Sequence, residues 1–184
     1  MTYNSTLRVL SIDPGSSKCG TSILDYSEEK THVIYAETID AEYLSRYYKD
    51  VAFIHGDKYA RLIAISRQIE KLLYLYKPDM VISESPFYNR LRPGAYGVLV
   101  EVISIIRSTV FNYNPSTSFS TIDPSTIKNA LKVKGTSGDK SLMRNALLLK
   151  DISYEEYLSP LTFDEHTVDA IAAGLALCIL LNTP

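Results

Sequence analysis

LRVLSIDPGSSKCGTSILDY, residues 7–26, is the stretch that decides the fold. Two apolar runs, residues 7–12 and 19–26, flank a Gly/Ser turn. Val, Ile and Leu bounded by turn residues predict the two strands of a hairpin. Pro14-Gly15 marks the reversal, and Gly20 lets another backbone come close to the second strand. The first run ends on Asp13. A strand that ends on Asp sets a charge at the rim of its sheet, and burying an unpaired carboxylate is expensive. Taken alone, Asp13 reads equally well as a turn-forming residue before Pro-Gly.

Working outward, residues 32–39 complete a three-strand meander. Residues 40–56 are a polar connection carrying Tyr43, Tyr47, Tyr48 and Phe53, expected at the surface and partly helical. Residues 58–76 keep Tyr59, Leu62, Ile63, Ile69, Leu72, Leu73 and Tyr76 on one helical face. Lys77-Pro78-Asp79 stops that helix. A short buried strand, residues 80–83, runs into Glu84, and residues 85–94 form a Pro- and Gly-containing loop. Residues 95–112 form a helix apolar on most of its surface, so it is central to the core or buried against a partner. Residues 118–122 are a fifth strand. Asp123-Pro124 starts a short helix over 125–131, with Asp as cap and Pro at the first helical position. A loop over 132–138 and a helix over 139–149 follow, then an acidic linker over 151–160. Thr162 and Glu165 stand at capping-box spacing and open a last helix over 163–181. The expected fold is α/β: a mixed five-stranded sheet, an antiparallel meander plus parallel strands, flanked by helices. One domain over residues 1–184 accounts for the length.

The formal net charge is −2, which excludes a global nucleic-acid signature, so any such site must be a local patch. Cys19 and Cys178 sit in apolar segments and form no metal-ligand pair by spacing, which suits buried thiols in a reducing compartment. The first six residues are polar with no signal-peptide core. The apolar stretch 168–181 is too short to span a bilayer and contains Asp169. The expectation is a soluble cytoplasmic protein with no membrane partner.

Three elements point charge at one rim: Asp13, Glu84, and His166 with Asp169. His166 and Asp169 are three apart, so they share a helix face, and Ala170, Ala173 and Gly174 beside them allow close approach to the sheet. Three carboxylates and an imidazole at one rim repel each other at pH 7 without a cation. Hard oxygen ligands suit Mg²⁺, and one imidazole extends tolerance to Mn²⁺. Two such ions about 4 Å apart form a site for in-line phosphodiester hydrolysis. Each residue also has an ordinary reading: Glu84 as a loop acid, His166 as a solvated first-turn histidine. Asp169, in the middle of an apolar helix, needs a partner. Asp164 and Glu165 are rival ligands, although first-turn acids commonly compensate the helix dipole.

The residues IDPGSSKCG, SESPFYNR, DPSTIKNALKVKGTSGDKSLM and HTVDAIAAGLAL, in this order, resemble the motifs of RuvC-type Holliday junction resolvases. These belong to the RNase H-like (retroviral-integrase) superfamily. The resemblance runs over about residues 9–181. It implies metal ligation by Asp13, Glu84, His166 and Asp169, with Lys140 in the catalytic set and two Mg²⁺ ions per site. The closing motif here is H-x-x-D where the family usually has D-x-x-D, which leaves the third ligand open between His166 and the acids beside it. Phe87 falls where the family places an aromatic that stacks on junction bases, and Lys128 and Lys140 match its phosphate-facing lysines. The family works as a homodimer on a four-way DNA junction, and residues 95–110 occupy the position of its dimer helix.

Charge patterning agrees with the resemblance. Between residues 128 and 144 lie Lys128, Lys132, Lys134, Lys140 and Arg144 against one acid, Asp139. Arg90 and Arg92 flank the loop that carries Phe87 and Tyr88. Basic side chains beside loop aromatics suit a sugar-phosphate backbone with splayed bases. The competing readings are a solvated charged face and ordinary loop packing. At the level of function the alternative is a monomeric RNase H-like nuclease or RNA-processing relative acting on other structured nucleic acid. An actin-like or sugar-kinase ATPase also carries D-x-G at a strand end, but it needs two such domains.

Overall fold

The computed structural model describes residues 6–27, 30–88, 90, 93–133 and 141–182. Its strands are β1 (Leu7–Asp13), β2 (Lys18–Tyr26), β3 (Thr31–Asp40), β4 (Met80–Glu84), β5 (Ser118–Ile122) and β6 (Ile152–Tyr154). They form one six-stranded sheet in the order β5-β4-β1-β2-β3-β6. β1, β2 and β3 pair antiparallel as the predicted meander. β4 and β5 add in parallel beside β1. The turn between β1 and β2 tolerates no side chain at Gly15, where a Cβ would lie 2.0 Å from the Lys18 carbonyl oxygen.

The sheet has one strand more than expected. β6 lies inside the stretch taken for an acidic linker and pairs in parallel with β3, Thr31 opposite Ile152. His32 holds it there: Nδ1 is 2.7 Å from the Ser153 hydroxyl and Nε2 is 3.4 Å from Glu155. Three residues are too few for a period-2 signal, so only the tertiary partner reveals this strand.

The helices are α1 (Ala41–Leu44), α2 (Lys49–His55), α3 (Asp57–Tyr76), α4 (Pro93–Tyr113), α5 (Pro124–Ala130), α6 (Ser141–Leu148) and α7 (Glu165–Leu181). Side chains of β1 alternate between two cores. Val9 joins Leu24, Ile82 and Ile122 under α5, α6 and α7. Leu10 and Ile12 join Ile23 and Val81 under α3 and α4. Ile69 of α3 and Ile106 of α4 are fully buried there, each contributing about 1.5–3 kcal/mol of hydrophobic stabilisation. α3 ends as predicted: Lys77 adopts left-handed backbone at φ 49° and Pro78 follows.

α4 buries only one side. Val102, Ile106 and Val110 enter the core, while Tyr96, Val100 and Phe111 are exposed. Among the described residues, Gly94–Tyr113 is also long and apolar enough to cross a membrane by length and composition, a segment the sequence reading passed over in favour of 168–181.

The start of α7 also differs. The helix begins at Glu165, and its cap is Asp164, not Thr162. The Asp164 carboxylate accepts from the Thr167 N–H at 2.8 Å and from the Thr38 hydroxyl at 2.6 Å. Thr162 instead donates to the Ser159 carbonyl. The Thr167 N–H makes this a local cap, and Thr38 ties it to β3. Cys19 and Cys178 are free and buried, as expected. Burial pushes both thiols up to about 12, so neither is reactive near neutrality.

Candidate active site

β1 and β4 run parallel, with Ile12 opposite Ser83, so Asp13 and Glu84 follow at neighbouring C-terminal strand ends. Alternation places both on the α7 face: Asp13 with Val9, Glu84 with Ile82. α7 is pressed onto that face at two glycines. A Cβ on Gly20 would lie 1.9 Å from the His166 carbonyl oxygen, and one on Gly174 would lie 2.6 Å from the Ser11 hydroxyl. Gly20 is opposite Asp13 in the β1–β2 ladder, so the same contact brings the first turn of α7 to the rim. His166 Nδ1 reaches the Asp13 carboxylate at 2.8 Å. A carboxylate can only accept, so Nδ1 carries the proton in this contact.

Burial and neighbouring charge both act on the acids of this rim. Burial pushes the Glu84 carboxyl up to about 8, helped by repulsion from Asp13 and Asp169 and opposed by Lys128. Burial and then Asp13 push Asp169 up to about 6, against His166 and Lys128. The hydrogen bond to Asp13 raises His166 above the ordinary imidazole value. Glu84 and Asp169, buried beside the Asp13 charge and offering oxygen donors, form a donor set that a hard divalent cation would relieve. Among the described residues, however, no three His, Cys, Asp or Glu side chains stand close enough to hold a metal ion as they are. His166 Nδ1 is turned to Asp13 by their hydrogen bond. Of the two rival acids, Asp164 is the helix cap. Burial pulls its carboxyl up, but the hydrogen bonds from Thr38 and Thr167 together outweigh this and hold it below the usual range. Glu165 lies 4.0 Å from His166 Nε2.

A cleft of about 650 Å³ opens beside these acids, lined by Glu84, Asp169, Lys128, Phe87, Asp123 and Met143 among others. Phe87 is 52% exposed there, free to meet a ligand. Tyr88 is exposed, its ring 6.1 Å from that of Tyr96 on α4. Arg90 is exposed on the same loop. Arg92, Lys134 and Lys140 lie outside the described residues.

Two basic residues stand elsewhere. Lys132, with left-handed backbone at φ 58°, lines a separate cleft of about 340 Å³ shared with Lys30, Lys150 and the far end of α7. Arg144 donates to the backbone carbonyls of Pro160, Leu161 and Phe163, at 3.3, 2.7 and 2.5 Å. Its guanidinium ties α6 to the segment that leads into α7. Sequence reading also missed that Asp123 lines the cleft and bonds to Ser85 beside Glu84. Asp123 was read as a helix cap, and nothing local pairs it with a residue on another strand.

No protein-family model matches the chain. A crossover junction endodeoxyribonuclease RuvC from Synechococcus sp. (strain RCC307) is 26% identical over 174 residues, covering 92% of this chain and 96% of the relative. Among solved structures, Thermus thermophilus RuvC in complex with a Holliday junction substrate superposes with a TM-score of 0.66 at 16% identity, covering 95% of both chains. The chain has a RuvC-type resolvase fold. The yeast mitochondrial Holliday junction resolvase Ydc2 shares this RuvC-type fold, with a TM-score of 0.64 at 12% identity over 94% of this chain and 78% of that one. A second RuvC, from Caldanaerobacter subterraneus subsp. tengcongensis, is 33% identical over 86 residues, 46% of this chain and 44% of the relative. The resemblance to RuvC read from the four motifs therefore extends over 92% of the chain in sequence, and the fold over 95%.

Proposed function

We propose that this chain is a divalent-cation-dependent endonuclease that resolves four-way DNA junctions as a homodimer. One observation carries the reading. Glu84 of β4 and Asp169 of α7 line one cleft with Lys128 and an exposed Phe87, and Asp13, hydrogen-bonded to His166, stands near enough for its charge to raise both acids. The full-length similarity to proteins named crossover junction endodeoxyribonuclease supports the substrate class. Both of those relatives are bacterial, in keeping with a cytoplasmic enzyme acting as one domain.

The carboxylates of Asp13, Glu84 and Asp169 would hold the cations, two Mg²⁺ in this reading with Mn²⁺ able to substitute. Bound cations supply an activated water and charge stabilisation at a scissile phosphate. The protein's own residues do the rest. His166 orients Asp13 through the 2.8 Å hydrogen bond to one carboxylate oxygen, which leaves the other oxygen for a cation. Lys128 brings positive charge to the cleft and favours ionised Glu84 and Asp169. Phe87 offers a stacking face to a base displaced at the crossover. The outer face of α4, with Val100 and Phe111 exposed, is the surface a second copy would cover. A two-fold dimer then presents paired sites to a substrate of matching symmetry.

The test is cleavage of a synthetic four-way junction against linear duplex, with and without Mg²⁺ or Mn²⁺. Metal-dependent, junction-selective nicking is expected. Equal cutting of duplex, or cutting in chelator, would refute the reading.

A further inference from the structure

We infer that Ser85 and Asp123 form a clamp that positions Glu84 and Phe87, making Asp123 a positioning residue of the nuclease. The inference rests on the junction-nuclease reading above. Ser85 is the single residue between Glu84 and the Pro86-Phe87 turn. Its N–H donates to the Ile122 carbonyl at 2.8 Å, which extends the β4–β5 ladder one residue past Glu84. Its hydroxyl donates to the Asp123 carboxylate at 2.5 Å. Both of its hydrogen bonds therefore lead to the end of one neighbouring strand.

The behaviour of Asp123 carries the argument. It occupies the cap position of α5, with extended backbone and Pro124 next, yet its side chain makes no capping hydrogen bond. An Asp in that place ordinarily stabilises a helix by about 1 kcal/mol through the orphan N–H groups of the first turn. Here the carboxylate forgoes them and turns to Ser85, while lining the cleft that holds Glu84 and Asp169. A third acid beside two that already repel each other is a liability unless it does something for the cleft. What it does is fix the residue on which both the Glu84 carboxylate and the Phe87 ring pivot.

A misplacement of about 1 Å at a reacting centre can slow chemistry by about a hundredfold. The clamp is therefore tested by Ser85→Ala and Asp123→Ala, with Asp123→Asn as the conservative variant whose amide oxygen still accepts the Ser85 hydroxyl. Two readouts are used. The first is kcat and KM on a four-way junction. The second is fluorescence of a junction carrying 2-aminopurine at the crossover, mixed with protein in chelator, so that base displacement is read without metal. Both alanine variants are expected to lower kcat by on the order of tenfold or more with KM unchanged. They should also weaken the fluorescence rise at wild-type melting temperature, and Asp123→Asn should restore both. Wild-type kcat and fluorescence in the two alanine variants would overturn the clamp alone. So would a loss that follows a lowered melting temperature and is not reversed by Asn. Failure of the wild-type protein to cut a junction at all would overturn the nuclease reading, and the clamp with it.

Discussion

The decisive residue is Asp13, because its carboxylate is the one both α7 and the parallel strands address. Asp13→Asn should abolish junction cleavage while leaving junction binding intact in a gel-shift titration; lost binding in a folded variant would count against its role. Glu84 and Asp169 make a separate prediction about pH. Their folded-state values lie near 8 and 6, above the ordinary 4.5 and 3.8. A raised acid is more protonated in the native state, so its stabilisation is present below the ordinary value and lost as pH climbs through the folded value. His166, also raised, contributes in the same direction. The metal-free protein should therefore lose melting temperature as pH rises from about 5 to about 8. Mg²⁺ should recover most of it at the alkaline end, and Glu84→Gln should flatten the profile. A metal-free melting temperature that rises over this range would contradict the gathered carboxylates. Asp13, Glu84 and Asp169 could all be found in the sequence, because each is a charge in or at the end of an apolar element. That His166 hydrogen-bonds Asp13 could not, since the two are 153 positions apart and meet only once the sheet is built.

Among elements, α7 depends on its contact with β2. Gly20→Ala would put a methyl group into the His166 backbone, and the needed shift should cost about 1–3 kcal/mol by denaturant titration. The sequence already indicated this contact, through a glycine in a strand and small residues three and four apart on a helix. The helix boundaries were legible for the same reason: α3 and α4 are long, periodic and properly stopped. β6 was not, because it is defined by its partner on β3 and not by its own neighbours. The basic segment divides likewise. Charge count grouped Lys128 and Arg144 together, yet the fold gives them different work. Lys128→Ala should reduce the slope of log binding constant against log salt by about one. Arg144→Ala should leave that slope unchanged and instead destabilise the fold, by about 1–3 kcal/mol, as three carbonyls lose their donor.

At the scale of the whole molecule, one sheet carries two cores, and each does a different job. The α5–α6–α7 side builds the rim and the cleft. The α3–α4 side supports a helix that leaves Tyr96, Val100 and Phe111 exposed. Val100→Glu should turn a dimer into a monomer in sedimentation velocity without unfolding it, since Val100 is exposed in the single chain. Unchanged mass would remove α4 as the contact between copies. The position of α7 in the chain has a further consequence. It follows every strand, so a growing polypeptide can complete all six before His166 and Asp169 have been made. During synthesis the finished sheet would carry Asp13 and Glu84 alone, and cutting would have to wait until the closing helix docked. In the nuclease proposed above, the order of elements would therefore keep catalysis from preceding the docking of that helix.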